Sequence, residues 1–127
     1  NNKLAKEIVA WKESVVEKWD GVKVLDYTNT TPASSATGEN YEIEFKIDTN
    51  GIGRDLGLEY VSYKIENGNE SLYQVIPFKI TKEDGNVITF KLDDKIKDAG
   101  VYRYGFRLYP FNPNLAHRQD FAYVRWI

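Results

Sequence analysis

The chain has 127 residues, the length of one domain that can bury a core without disulfides or a metal. Its formal net charge is -2 with acids and bases interspersed, which excludes the basic stripe that nucleic-acid binding requires. The absence of cysteine excludes thiol chemistry, and no apolar run is long enough to span a membrane. We therefore expect a soluble domain with neither nucleic acid nor membrane as partner. The chain also lacks methionine, so we expect it to be part of a longer protein.

The N-terminal segment predicts an amphipathic helix over residues 3–19. Its apolar residues recur at spacings of four, three, four and four, which places them on one helical face: Leu4, Ile8, Trp11, Val15 and Trp19. Asp20-Gly21 then ends the helix, because glycine readily takes the left-handed conformation after a last helical turn. We divide the chain into a connecting helix at 1–20 and a β-domain at 21–127.

Seven strands are predicted after the helix. Alternation of apolar and polar residues, as in Tyr41, Ile43, Phe45 and Ile47, indicates strands with one dry face. The predicted strands are 22–27, 41–47, 61–65, 72–81, 86–92, 101–109 and 121–126, with a loop at 28–38. Pro77 lies inside the fourth, so that strand should be an edge strand or carry a bulge.

This succession of short strands predicts an immunoglobulin-like β-sandwich. The run Asp98-Ala99-Gly100-Val101-Tyr102-Arg103-Tyr104 follows the D-x-G-x-Y-x-C pattern of strand F in that fold, with tyrosine in place of cysteine. Tyr102 should therefore form a tyrosine corner by bonding upstream backbone. The fold class we predict is mainly β, an N-terminal amphipathic helix followed by a seven-stranded immunoglobulin-like sandwich.

No pattern of catalytic, cofactor-binding or metal-ligating residues emerges from the sequence. The segment from Asp48 to Glu59 imitates a calcium loop, but Ile52 occupies a ligand position and strands flank it. Its glycines have the wrong spacing for a phosphate loop. His117 is the single histidine, and no serine lies in a G-x-S-x-G elbow. We therefore assign no catalytic, cofactor or metal site to the chain.

Aromatic side chains remain as candidates for contacts with a ligand or another domain. Tyr102, Tyr104, Phe106 and Leu108 alternate along one strand face, which predicts that they fill the core. Five other aromatics are the candidate contacts with a glycan or a neighbouring domain: Trp11, Tyr60, Tyr73, Tyr109 and Tyr123.

Three segments carry a resemblance to a known family. They are the helix pattern from Leu4-Ala5 through Trp11-Lys12 to Trp19 and Val22, the Leu56-Gly57-Leu58 turn, and the closing run Tyr104-Gly105-Phe106-Arg107-Leu108-Tyr109-Pro110 with Asn112-Pro113, Leu115 and Trp126. Together they resemble the C-terminal region of bacterial and archaeal α-glucan (glycogen or maltodextrin) phosphorylases. The resemblance covers nearly the whole chain, although Phe106 and Leu108 replace valines of the family pattern.

The resemblance implies a parent enzyme that uses pyridoxal phosphate and inorganic phosphate to release glucose 1-phosphate from α-1,4-glucans. Its cofactor lysine would lie upstream, so no catalytic or cofactor residue carries over to this chain. The chain is then expected to be a non-catalytic, cytoplasmic accessory domain that docks on the catalytic lobes of its parent. Two alternatives are a glycan-binding module and an extracellular immunoglobulin-like adhesion domain.

Exposure should discriminate between docking and glycan binding. A docking domain is expected to expose Trp11 or Val15 of the helix as part of an apolar patch. A glycan-binding domain is expected to expose two or more roughly coplanar aromatic side chains with polar neighbours.

Overall fold

A computed structural model describes residues 2–31, 38–97, 100–114 and 123–127. Within these ranges the chain forms one helix, a single 3₁₀ turn at Gly53–Asp55 and eight strands. The elements are α1 (Asn2–Trp19), β1 (Lys23–Asn29), β2 (Asn40–Asp48), β3 (Leu56–Glu66), β4 (Asn69–Pro77), β5 (Lys79–Asp84), β6 (Val87–Lys95), β7 (Val101–Pro110) and β8 (Arg125–Trp126). The mainly β fold with an N-terminal helix is confirmed.

The strands form two antiparallel four-stranded sheets. Sheet A has the order β1-β2-β6-β5, and sheet B has the order β4-β3-β7-β8. Immunoglobulin-like folds are described by lettering their strands along the chain. With β4 treated as an extra strand between C and D, sheet A has the order A-B-E-D. Sheet B then has the order C-F-G, with β4 added beside C. This order agrees with the immunoglobulin-like arrangement that the sequence predicts. Asp98 and Ala99 lie outside the described residues, so the tyrosine corner at Tyr102 stays a prediction.

The strand count is eight rather than seven because the predicted strand 72–81 is two strands in different sheets. Pro77 ends β4 since it has no N–H to donate to a ladder. Phe78 then crosses between the sheets, with its side chain 8% exposed in the core and its N–H bonded to the Leu58 carbonyl at 2.9 Å. The chain continues as β5 at the edge of sheet A.

Two further strand boundaries differ from the predicted ones. β3 begins at Leu56 rather than at residue 61, because Leu56 and Leu58 pack inward and pair with Pro110 and Leu108 of β7. Only the last part of the predicted strand 121–126 falls in the described residues, where Arg125–Trp126 forms β8. Asn67, Gly68 and Gly85 have positive φ and form the tight turns that join β3 to β4 and β5 to β6.

The core lies between the sheets. Fully buried side chains come from both inner faces: Ile43, Ile47, Leu56, Leu58, Ile88, Phe90 and Leu108. The alternation of β2, in which every second residue is buried, follows the period-two pattern of the sequence. Phe106 contributes an aromatic layer with Phe45, whose ring centroid lies 4.9 Å away at an interplanar angle of 68°.

The helix packs on the sandwich at the end where β2 stops and β3 starts. Val15 and Trp19 are 2% and 7% exposed and belong to the same hydrophobic cluster as the sheets. Trp11 Nε1 donates to Asp55 Oδ2 at 3.0 Å, and Asn50 Nδ2 donates to the Lys18 carbonyl at 3.0 Å. The prediction that Trp11 or Val15 is exposed for docking is therefore wrong, because both side chains make contacts within the domain.

Candidate functional site: a tyrosine-lined cleft

A cleft of about 490 Å³ opens between the two sheets at the end of the sandwich opposite the helix. It lies where β2 begins and β6 ends, so the aliphatic core gives way there to aromatic and polar side chains. Five tyrosines line it, namely Tyr41 of β2, Tyr60 of β3, Tyr73 of β4, and Tyr102 and Tyr104 of β7. We call this feature the tyrosine cleft.

The tyrosine rings contact one another around the cleft. Tyr60 and Tyr104 are stacked, with centroids 5.5 Å apart and an interplanar angle of 29°. Tyr41 faces Tyr60 across the sheets at 6.2 Å and 41°. Tyr73 packs on Tyr102 at 5.0 Å and 51°. The rings therefore form tilted walls rather than one flat surface.

The strand register explains why these residues meet. Tyr60 pairs with Phe106, and Ser62 pairs with Tyr104, so alternate residues of β3 and β7 point to the same inner face. The pairing of β3 with β4 shifts between Ser62 and Tyr63, and this bulge lies where Tyr73 joins the cleft.

Ser62 supplies a buried polar group in the cleft. The residue is 2% exposed, and its hydroxyl has no partner of hydrogen-bond geometry among the described residues. Ser62 is close enough to the Tyr60 phenol to lower the pKa of Tyr60, against the larger effect of burial, although the two groups lack hydrogen-bond geometry. An unsatisfied buried hydroxyl is costly, so a group that enters the cleft and bonds to it gains that interaction.

The phenols of Tyr41 and Tyr60 are held neutral. Burial, with smaller contributions from the neighbouring Tyr104, Tyr102 and Asp94, raises the pKa of Tyr60 to about 12. Burial is also the largest cause of the raised pKa of Tyr41, and the neighbouring Tyr60 and Asp94 raise it by smaller amounts. Both groups therefore remain hydrogen-bond donors and acceptors across the physiological pH range.

Alkaline pH is expected to destabilise the domain through Tyr60. Its folded pKa exceeds the ordinary value of 10.0, so its stabilising contribution is complete below about pH 10 and is lost as the pH rises towards 12. We expect this residue to contribute a fall of roughly 1–2 kcal/mol in the free energy of unfolding over that window. Urea unfolding of Tyr60→Phe should show a smaller alkaline fall than the wild type. An equal fall in both would contradict the assignment, and Tyr63→Phe on the outer face of the same strand is the control.

The structure brings together two of the five predicted contact residues. Tyr60 and Tyr73 line the cleft, whereas Tyr109, Tyr123 and Trp11 lie elsewhere. Tyr109 covers Gly57, where an added Cβ would overlap its ring, and Tyr123 packs on Trp19 with centroids 5.6 Å apart. Trp11 bonds to Asp55. The last three residues therefore make contacts within the domain.

The prediction that β7 contributes a fully buried stripe is wrong at one end. Phe106 and Leu108 are buried, but Tyr104 is 44% exposed and Tyr102 is only partly buried. The physical reason is that the sandwich opens at the start of β7, where both tyrosines reach the cleft. Sequence reasoning also missed Tyr41 and Ser62. The position of Tyr41 at the very start of its strand was the available signal, since strand ends lie at the open ends of a sandwich.

The imitation calcium loop forms no metal site in the described structure. Asp48 Oδ1 accepts the Asn50 N–H at 2.9 Å, and Glu59 is paired with Arg107 on the outer face of sheet B. Among the described residues, no group of three or more His, Asp or Glu side chains is arranged to hold a metal ion. Within those same ranges, no helix combines the length and apolar composition that crossing a bilayer requires.

The tyrosine cleft does not fit pyridoxal phosphate, the cofactor that the resemblance implies for the parent. A site for this cofactor combines a Schiff-base lysine with a partner for the pyridine nitrogen and a phosphate-binding backbone. Lys95 and Lys97 line the cleft, but no described carboxylate lines it and no helix begins there. We therefore derive no chemical step through this cofactor.

Comparison with known proteins identifies the family. The family model described as glycogen phosphorylase C-terminal domain matches residues 19–127. A search of curated proteins and a search of solved structures gave no match. The matched segment contains the last helical residue and all eight strands, including every residue of the tyrosine cleft. The chain therefore belongs to the glycogen phosphorylase C-terminal domain family.

Proposed function

We propose that this chain is a non-catalytic accessory domain of an α-glucan phosphorylase and docks on the catalytic lobes of that enzyme. The parent would use pyridoxal phosphate, bound outside this chain, to convert α-1,4-glucans to glucose 1-phosphate in the cytoplasm. Membership of a family defined as the C-terminal domain of glycogen phosphorylase supports this proposal and favours it over extracellular adhesion.

The observation that carries docking is a set of exposed apolar residues on α1. The helix already uses Val15 and Trp19 to pack on the sandwich, yet Leu4, Val9 and Val16 are 45%, 55% and 46% exposed. Val9 and Val16 are seven residues apart and lie on one side of the helix, next to its buried face. A surface helix normally carries polar residues outside its buried stripe, so this second apolar side favours contact with another protein surface.

Charge placed on this side should separate the domain from its parent. We expect Val9→Glu with Val16→Glu to leave the unfolding of the present chain nearly unchanged, since both side chains are exposed. In the enzyme that contains the domain, the same pair should increase cleavage by limited proteolysis at the junction and make the domain unfold separately. Lys46→Glu, an exposed change of the same total charge on β2, is the control. Proteolysis that is unchanged in the double variant would contradict docking through α1.

Contact with glycan is a second candidate function. It is favoured by the exposure of Tyr73 and Tyr104, which are 36% and 44% exposed at the tyrosine cleft beside polar neighbours. Exposed aromatic side chains with polar neighbours were expected of a glycan-binding domain, whereas the coplanar arrangement expected with them is not what the cleft presents, since its ring pairs are tilted by 29° to 51°. The two candidates use opposite ends of the sandwich, so they are compatible and can be tested separately.

A further inference from the structure

We propose that the tyrosine cleft binds a short α-1,4-linked glucose oligosaccharide, with the Ser62 hydroxyl at its base bonding to a sugar hydroxyl. The proposal deepens the second candidate function and rests on it for the class of glycan. It assigns the contact to Tyr41, Tyr60, Tyr102, Tyr104 and Ser62.

The size of the cleft suits a small molecule. Its volume of about 490 Å³ lies within the range of small-molecule sites. Tyr104 is 44% exposed although it sits on the inner face of β7. An exposed aromatic ring that lines an accessible cleft is available to stack on a ligand.

Ser62 provides an independent indication of a polar ligand. Its hydroxyl is buried, lines the cleft and has no partner of hydrogen-bond geometry among the described residues. Native proteins seldom leave such a group unsatisfied, because the cost of desolvation is then uncompensated. A purely apolar ligand would leave that cost in place, whereas a ligand with hydroxyl groups removes it.

The charges around the cleft partly balance one another. Lys95 and Lys97 are the charged residues among its described lining, and Lys97 lies 3.9 Å from Asp94. The negative charge of Asp94 reaches the inner tyrosines, since it helps to raise the pKa of both Tyr41 and Tyr60. A neutral polyhydroxylated group requires neither charge, since it can bond to the phenols, which both donate and accept.

The α-1,4 linkage of the ligand follows from the proposed parent enzyme, which acts on α-1,4-glucans. A β-1,4-linked oligosaccharide of the same length therefore tests the linkage separately from the binding of sugar as such.

Amide chemical shifts of the present chain test the proposal. Maltotriose is titrated into labelled protein, with cellotriose as the β-linked comparison. We expect saturable shifts in the millimolar range at Tyr60, Ser62 and Gly100 with maltotriose, much weaker shifts with cellotriose, and none at Gly57, which lies towards the helix end. Absence of saturable shifts at the cleft, or equal shifts with both sugars, would overturn the proposal. Tryptophan fluorescence is a poor probe, because no described tryptophan lines the cleft.

Two variants separate a binding role from a structural one. Tyr104→Ala removes an exposed stacking ring and should weaken maltotriose binding roughly tenfold. Ser62→Ala should weaken binding about fivefold while leaving the midpoint of urea unfolding unchanged or raised, since it removes an unsatisfied hydroxyl. Tyr63→Ala, on the outer face of β3, should leave the affinity unchanged. Wild-type affinity in both cleft variants would overturn the assignment of the site.

The experiments can reject glycan binding and docking separately. The titration reports on the cleft of the isolated chain, whereas the Val9 and Val16 substitutions report on α1 within the enzyme. A chain that ignores maltotriose but detaches from the enzyme when α1 is charged would reject glycan binding and retain the accessory docking role.

Discussion

Replacement of Trp19 by alanine is expected to lower the free energy of unfolding by about 3–4 kcal/mol. Trp19 is 7% exposed and joins the last turn of α1 to the core. Its ring packs on Tyr123, and the Arg125 guanidinium lies 6.0 Å from its centroid. Removing the ring leaves a cavity under the helix and frees both partners. Urea unfolding followed by circular dichroism measures the loss.

Val16→Ala is the matched control for Trp19. It shortens another apolar residue of the same helix, but Val16 is 46% exposed and has little packing to lose. Alanine also has the higher helix propensity, so the expected change is within about 0.5 kcal/mol. Similar losses in the two variants would show that α1 does not pack on the sandwich through the residues that the structure places there.

Replacement of Arg107 by methionine is expected to lower the free energy of unfolding by about 2–3 kcal/mol. Arg107 pairs with Glu59, which is 3% exposed, through Nε to Oε1 at 2.6 Å and through a second contact from Nη2. Removing the guanidinium takes the Arg107 cation away from a buried carboxylate, which costs more than the loss of an exposed ion pair. Methionine keeps much of the packing against Trp126, whose ring lies 5.3 Å from the guanidinium.

Arg103→Met is the control for Arg107. Arg103 lies four residues earlier on the same face of β7, pairs with Glu70 and stacks on Tyr63 at 4.8 Å. The Arg103 and Glu70 side chains are 58% and 41% exposed, so solvent screens their pair and it should contribute much less to stability than the buried pair. The double variant Arg107→Met with Glu59→Gln should recover part of the loss, because the buried negative charge is gone. Equal losses at positions 103 and 107 would contradict the role of burial.

Local patterns of the sequence predicted most of the elements closely. The helical spacing of Leu4, Ile8 and Trp11 predicted residues 3–19, and the helix spans Asn2–Trp19. The alternation in 41–47 predicted β2, which spans Asn40–Asp48. These predictions succeed because a face that packs against the core imposes its period on the sequence of the element itself.

Boundaries that depend on the partner strand were not predictable from these patterns. Pro77 indicated an irregularity, but the crossing from sheet B to sheet A at Phe78 depends on the space available between the sheets. Leu56 and Leu58 belong to β3 because β7 is there to pair with them. Neither the crossing at Phe78 nor the start of β3 at Leu56 produces a repeating pattern of apolar residues within one segment.

The sequence by itself determined the fold class, the family and the candidacy of Tyr60 and Tyr73, because periodicity, turn residues and family motifs are properties of neighbouring positions. Tertiary structure alone decided that Tyr41, Ser62 and Tyr104 join them in one cleft, and that Trp11 and Val15 pack within the domain. The physical reason is that an inward-facing residue is buried or accessible according to where the two sheets separate. That separation depends on the packing of both sheets and the helix together, and no single strand encodes it.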